Sequence, residues 1–236
     1  MTDAFEDKHF GAATLEEIES MVSAVHVASN ERDEIIRILD ATHTVLKGHY
    51  ELRTGGYHSE WFIAFPRIGN STEHRKKIAL MMVELLTSRS TIDVVLSGTG
   101  GSAFCGISVK DAIPEARFLS ANIDSHNPML SWLGNGKIAP GEKVLIVTDI
   151  VTTGSGVRDL IAVAKECQGD VVGVLAFACR YEGGVEEFAR KLKDEDNLDP
   201  STVHSLIDFQ MERSLGDGCQ LCKDNVPLVA GGHLTH

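Results

Sequence analysis

The chain has 236 residues, 43% hydrophobic and 24% charged, which excludes wholesale disorder and supplies enough apolar residues for one sizeable core. Its 34 acidic against 22 basic residues give a formal net charge of -12 with no basic stripe, and such a surface repels a nucleic-acid backbone. No run reaches the ~20 consecutive apolar residues of a membrane helix, and the opening MTDAFEDKHF lacks the basic and apolar blocks of a secretory signal, so a cytoplasmic protein without membrane or nucleic-acid partners is expected.

Thr14 with Glu17 three residues on forms a capping-box pattern ahead of Leu15, Ile18, Met21, Val22 and Val25 at helical spacing. A second helix, capped by Asn30, carries Ile35, Ile36 and Leu39. From Val45 the pattern changes to two strand-like runs around Thr54-Gly55-Gly56, ending in Trp61-Phe62-Ile63-Ala64-Phe65, which is a hairpin. A helix follows from Ser71 to Thr87, with Ile78, Met81, Met82, Leu85 and Leu86 on one face.

Strand and helix then alternate. Ile92 to Leu96 reads as a strand, followed by a helix through Val109. Phe118-Leu119 marks a second strand, and residues 121–136, rich in Asn, Ser, Pro and Gly, read as a loop. Lys143 to Val147 is a third strand, Gly154 to Cys167 a helix, and Val171 to Cys179 a fourth strand. Glu182 to Pro200 reads as a charged segment with an exposed helix, and Val203 to Phe209 as an added edge strand. This order predicts an α/β fold with a parallel sheet covered by helices on both faces, and a site at the carboxyl ends of the strands. The organisation expected is a single domain over 1–236, with 1–44 as an N-terminal helical extension before the hairpin.

The segment from Val144 to Gly156 carries the sharpest chemical signal. An apolar strand delivers Asp149 at its end, and the turn Thr152-Thr153-Gly154-Ser155-Gly156 then opens a helix. Such a turn offers N–H groups and hydroxyls to a phosphate at a positive helix terminus, while the carboxylate accepts from ribose hydroxyls. The turn is not a Walker loop, because the Gly-Lys-Ser/Thr ending is absent. The bland alternative is a capped turn with Asp149 bonded to nearby N–H groups. Ser97-Gly98-Thr99-Gly100-Gly101 repeats the strand-to-helix geometry and reads equally as a ligand loop or an ordinary tight turn.

Five scattered cysteines predict reduced thiols. Cys219-x-x-Cys222 has metal-ligand spacing, yet one pair is half of a zinc signature, so no metal-ligating residue is assigned and no stoichiometric zinc is expected.

The Val144–Gly156 segment resembles the phosphoribosyl pyrophosphate (PRPP) signature of type I phosphoribosyltransferases. The run Gly48-His49-Tyr50-Glu51-Leu52-Arg53-Thr54-Gly55-Gly56-Tyr57-His58-Ser59-Glu60 is similar to the N-terminal hairpin of orotate phosphoribosyltransferases, and Cys219-Gln220-Leu221-Cys222-Lys223 before Pro227-Leu228-Val229 resembles an ending common in bacterial members. The resemblance spans 45–229. It implies transfer of a phosphoribosyl group from Mg-PRPP to a pyrimidine base, orotate first, with release of pyrophosphate. Asp149 would contact ribose hydroxyls, the 152–156 turn the 5'-phosphate, and Ser97, Gly98, Thr99, Gly100 and Gly101 the pyrophosphate. Arg53, Trp61 and Phe62 would lie beside the base, with packing as the alternative for the aromatic pair. Mg2+ would be held mainly through PRPP, and a homodimer is implied.

Two departures stand out. The family's acidic pair is here Thr148-Asp149. Residues 121–136, which match the family's catalytic cover loop, contain no Lys or Arg, leaving His126 as the one potential cation there or else a solvated loop histidine. A PRPP-binding regulator without turnover, or a transferase for another base, is therefore the rival expectation.

Overall fold

Alternation along the central strands sets the architecture. In the strand Lys143–Val151, Val144 and Ile146 face one apolar cluster while Leu145 and Val147 face another, and in Asp170–Cys179 the pairs Val174/Ala176 and Leu175/Phe177 divide the same way. Strands apolar on both faces must be covered on both faces. The computed structural model describes residues 10–52, 56–86, 91–124, 127–133 and 136–230.

In chain order the elements are β1 Gly11–Ala12, α1 Leu15–Met21, β2 Val22–Val25, α2 Ser29–Ala41, β3 Val45–Glu51, β4 Tyr57–Ile63, α3 Pro66–Gly69 and α4 Thr72–Glu84. Then follow β5 Val94–Ser97, α5 Gly101–Ala112, β6 Arg117–Asp124, β7 Asn127–Leu133, β8 Lys143–Val151, α6 Ser155–Glu166 and β9 Asp170–Cys179. The chain continues through α7 Gly184–Asp196, β10 Val203–Phe209, β11 Ser214–Leu215, α8 Gln220–Lys223 and β12 Val229–Ala230. A seven-stranded sheet has the order β2-β10-β9-β8-β5-β6-β7. Its five inner strands run parallel, and β2 and β7 close the edges antiparallel. The expected α/β class holds, with a mixed sheet in place of a wholly parallel one. One face packs on α1, α2, α4 and α5, the other on α6 and α7. A second, small sheet joins β1, β3, β4 and β11, with β12 against β3. Among the described residues no helix is long and apolar enough to cross a membrane.

Several expectations need correction. Helix α1 stops at Met21, and Val22–Val25 become the edge strand β2 on β10 instead of prolonging the helix. β-Branched residues serve a half-covered edge better than another helical turn. Consequently β10 is interior. The first two helices form part of the main core, with Ile18, Ile35, Ile38 and Leu39 all buried. Helix α2 begins at Ser29 with Ala28 at the cap position, which puts Asn30 inside the helix. Helix α7 is charged outward but buries Val185, Phe188, Ala189 and Leu192. The expected loop over 121–136 is mostly β-structure: β6 runs on to Asp124 and pairs antiparallel with β7.

Candidate functional site

Strands β5 and β8 are parallel neighbours, with Ser97 level with Val147. Each ends in a loop that opens a 12-residue helix, α5 or α6, so two helix N-termini sit side by side at the carboxyl edge of the sheet. Asp149 lies between them. Its Oδ1 accepts from Ser102 Oγ at 2.7 Å and from Thr148 Oγ1 at 3.4 Å, and the two hydroxyls are 3.2 Å apart. Burial raises the Asp149 pKa, while the Ser102 hydroxyl and the N–H of Ile150 oppose that shift. A partly desolvated carboxylate held by hydroxyls is an effective acceptor for a sugar diol.

Backbone proximity explains the glycines. A methyl group on Gly101 would come 2.1 Å from Asp149 Oδ2, so the start of α5 reaches the carboxylate only as glycine. Gly154 has φ 77°, and a methyl group there would meet Phe188 of α7 at 2.2 Å. That left-handed residue turns β8 into α6. Added Cβ atoms at Gly100 or Gly156 would meet nothing within 4 Å, so both loops present backbone to open space. Around the second loop Thr153 Oγ1 lies 3.0 Å from Ser155 Oγ and accepts from Ser155 N at 3.4 Å. The structure thus brings together Asp149, Ser97–Gly101 and Thr152–Gly156.

Next to the second loop, a cavity of about 900 Å³ opens between β4 and the ends of β9 and β10. Tyr57, Arg180 and Arg213 line it, opposite His26 and Asp208. Arg180 is 5% exposed, and its guanidinium donates to Ser59 Oγ at 2.8 Å and Trp61 O at 3.1 Å. Its buried Nε has no hydrogen-bond partner among the described residues. Burial, with Arg213 nearby, lowers its pKa to about 10, so it stays cationic at neutral pH. The Arg180 N–H donates to Val151 O at 2.8 Å, and Arg213 donates to Thr152 O at 2.7 Å while lying 4.9 Å from the Tyr57 ring centre. The Arg213 side chain is therefore tied to the 152–156 turn, and the Arg180 backbone to the strand end just before it.

Sequence reasoning passed over Ser102, Arg180 and Arg213. Arg180 was within reach, since it directly follows an apolar strand at the edge where ligands bind. Trp61 and Phe62 make packing contacts: Trp61 rests on the main core beneath Lys47, and Phe62 is 5.4 Å from the Tyr50 ring. Arg53 and His126 lie outside the described residues. Folding brings His49 and His58 beside Cys219 and Cys222, so four groups of ligand type gather where the sequence shows one pair.

No family model matches the chain. It is 29% identical over 204 residues to an orotate phosphoribosyltransferase of Desulforamulus reducens, covering 85% of this chain and 96% of that one. A Caldanaerobacter subterraneus orotate phosphoribosyltransferase is 26% identical over 203 residues, covering 86% and 97%. In structure the chain is similar to orotate phosphoribosyltransferase from Aeropyrum pernix, with TM-score 0.54 and 19% identity over 73% of this chain and 90% of that one. It also matches Leishmania donovani UMP synthase, with TM-score 0.59 and 15% identity over 74% of this chain, spanning 36% of that longer chain.

Proposed function

From a chain that has the type I phosphoribosyltransferase fold and is similar in sequence to orotate phosphoribosyltransferases, we propose an enzyme that transfers the phosphoribosyl group of PRPP to a pyrimidine, orotate first. The observation that carries this reading is the pair of helix N-termini flanking Asp149 at the ends of β5 and β8. One loop, Thr152–Gly156, would take the 5'-phosphate and the other, Ser97–Gly101, the pyrophosphate, each through backbone N–H groups at a positive helix end. Asp149 would accept from the ribose hydroxyls and fix the ring between them.

Arg180 and Arg213 support an anionic acceptor. A carboxylate on the base would find the positive charge of Arg213 and of the largely buried Arg180 beside the adjoining cavity. As the base nitrogen bonds to C1, the C1–O bond breaks, pyrophosphate leaves with the electron pair, and the nitrogen's proton is released. Oriented N–H groups at the 97–101 loop stabilise the charge growing on the leaving group. Asp149, Ser102 and Thr148 offer oxygen donors that could help hold a Mg2+ bound mainly through PRPP oxygens, and such an ion would supply charge to offset the pyrophosphate.

A second reading, a PRPP-binding regulator, is favoured by two sequence facts: Thr148 replaces an acid, and 121–136 contains no Lys or Arg. One experiment separates the two. PRPP affinity is measured calorimetrically with Mg2+, and pyrophosphate release is then followed with a panel of bases. PRPP binding with orotate-dependent release is expected. Release only with another base reassigns the acceptor, binding without release on any base supports the regulator, and absence of PRPP binding overturns both.

A further inference from the structure

We propose that His49, His58, Cys219 and Cys222 form a structural zinc site clamping the C-terminal segment onto the β3–β4 hairpin. Four candidate ligand atoms converge: His49 Nε2, His58 Nδ1 and the two Sγ atoms all lie within 4.8 Å of one another. His49 Nε2 is 3.1 Å from His58 Nδ1, 3.5 Å from Cys219 Sγ and 3.6 Å from Cys222 Sγ, and His58 Nδ1 is 3.2 Å from Cys222 Sγ. Zinc bonds of about 2.3 Å to sulfur and about 2.0–2.1 Å to nitrogen, set tetrahedrally, imply edges of about 3.3 Å between nitrogens and about 3.6 Å between nitrogen and sulfur. The observed spacings match that tetrahedron.

The surroundings prepare the ligands. His49 is 1% exposed, and its Nδ1 lies 2.8 Å from Val226 O. A carbonyl only accepts, so the Nδ1 carries the proton and the Nε2 lone pair points at the thiols, the tautomer a metal requires. Cys219 is 3% exposed. Two thiolates and two neutral imidazoles around Zn2+ make a neutral cluster, which can be buried without a residual charge.

The site also answers a structural need. The tail reaches the small sheet through β11 on β4 and β12 on β3, each only two residues long. Short strands of this kind hold weakly. Zinc would join two residues of the hairpin to two of the tail across more than 150 positions of sequence, and would also brace the hairpin turn between His49 and His58. The proposal stands apart from the transferase reading, since it concerns metal content and tail anchoring, not PRPP.

The test uses the untagged full-length protein, dialysed against a weak chelator and assayed for zinc by plasma mass spectrometry. About one zinc per chain is expected, lost in Cys222→Ser and retained in His58→Cys, which keeps a ligand at that position. In case Cys222→Ser fails to fold, wild-type protein is also loaded with Co2+; intense visible bands of a tetrahedral ion with sulfur-to-cobalt charge transfer are expected. Chelation should expose Cys219 and Cys222 to a thiol reagent and speed proteolysis of 216–225. No zinc together with no cobalt spectrum, a disulfide between the two cysteines in the native protein, or zinc fully retained by a folded Cys222→Ser would each overturn the site.

Discussion

Asp149 and Gly101 form one unit, because the carboxylate occupies the space that a side chain at 101 would take. Two substitutions probe that unit from opposite sides. Asp149→Asn removes a charged acceptor and is expected to weaken PRPP binding by ~1.5–3 kcal/mol. Gly101→Ala leaves the carboxylate chemically intact but displaces it, and PRPP affinity should fall comparably, with stability lowered by ~1–3 kcal/mol from overpacking. Calorimetric titration of both variants checks the pair. A Gly101→Ala protein that binds PRPP as tightly as the wild type would remove Asp149 from the site.

Helix α1 shows how a local signal acquires a tertiary role. The capping box appears as the sequence predicts: Thr14 Oγ1 accepts from Glu17 N at 3.2 Å, and Glu17 Oε2 accepts from Thr14 N at 2.9 Å. The other oxygen of Glu17 receives Lys47 Nζ at 2.7 Å, and that contact, with the Thr14 N–H, lowers the carboxyl's pKa. A seven-residue helix is too short to persist alone, so the cap and the link to β3 matter beyond their individual strengths. Thr14→Ala is expected to cost ~1 kcal/mol in urea denaturation. A change below the error of that measurement would mean that packing of Ile18 and Met21 alone holds α1.

Across the whole molecule, the antiparallel edge β2 is tied to the sheet by His26 on Asp208, at 3.2 Å. The Asp208 carboxylate beside it raises the His26 pKa against the effect of burial, and Glu186 of α7 adds to the rise. Burial of Asp208 is outweighed by the ion pair with His26 and by hydrogen bonds from Ser205 and the Val185 N–H, and its pKa falls. A histidine whose pKa is higher folded than unfolded stabilises fully below its unfolded value and loses that contribution as pH rises through the folded one. Stability should therefore decline from about pH 6.5 upward by ~1 kcal/mol, an amount typical of a partly exposed pair. Neighbouring His204, its pKa lowered by burial and by His26, titrates in the opposite sense at lower pH. Thermal melts of His26→Asn across this range should lose the upper slope; an unchanged slope would assign it elsewhere.

Sequence alone determined the periodic elements: the central strands with apolar residues on both faces, the hairpin at Val45, the capped α1 and the two glycine-bearing turns that open α5 and α6. Each is a local pattern, set by alternation, cap chemistry or backbone sterics within a few residues. Tertiary structure decided what depends on distant partners. Val22–Val25 became a strand because β10 offered an edge, and residues after Leu119 extended because β6 and β7 pair with each other. Arg180 reached the cavity only because β9 ends beside β4 and the end of β8. Cys219 and Cys222 read as an isolated pair in the sequence because the histidines that folding sets beside them, His49 and His58, lie more than 150 residues earlier, and no local spacing rule spans a gap that only folding closes.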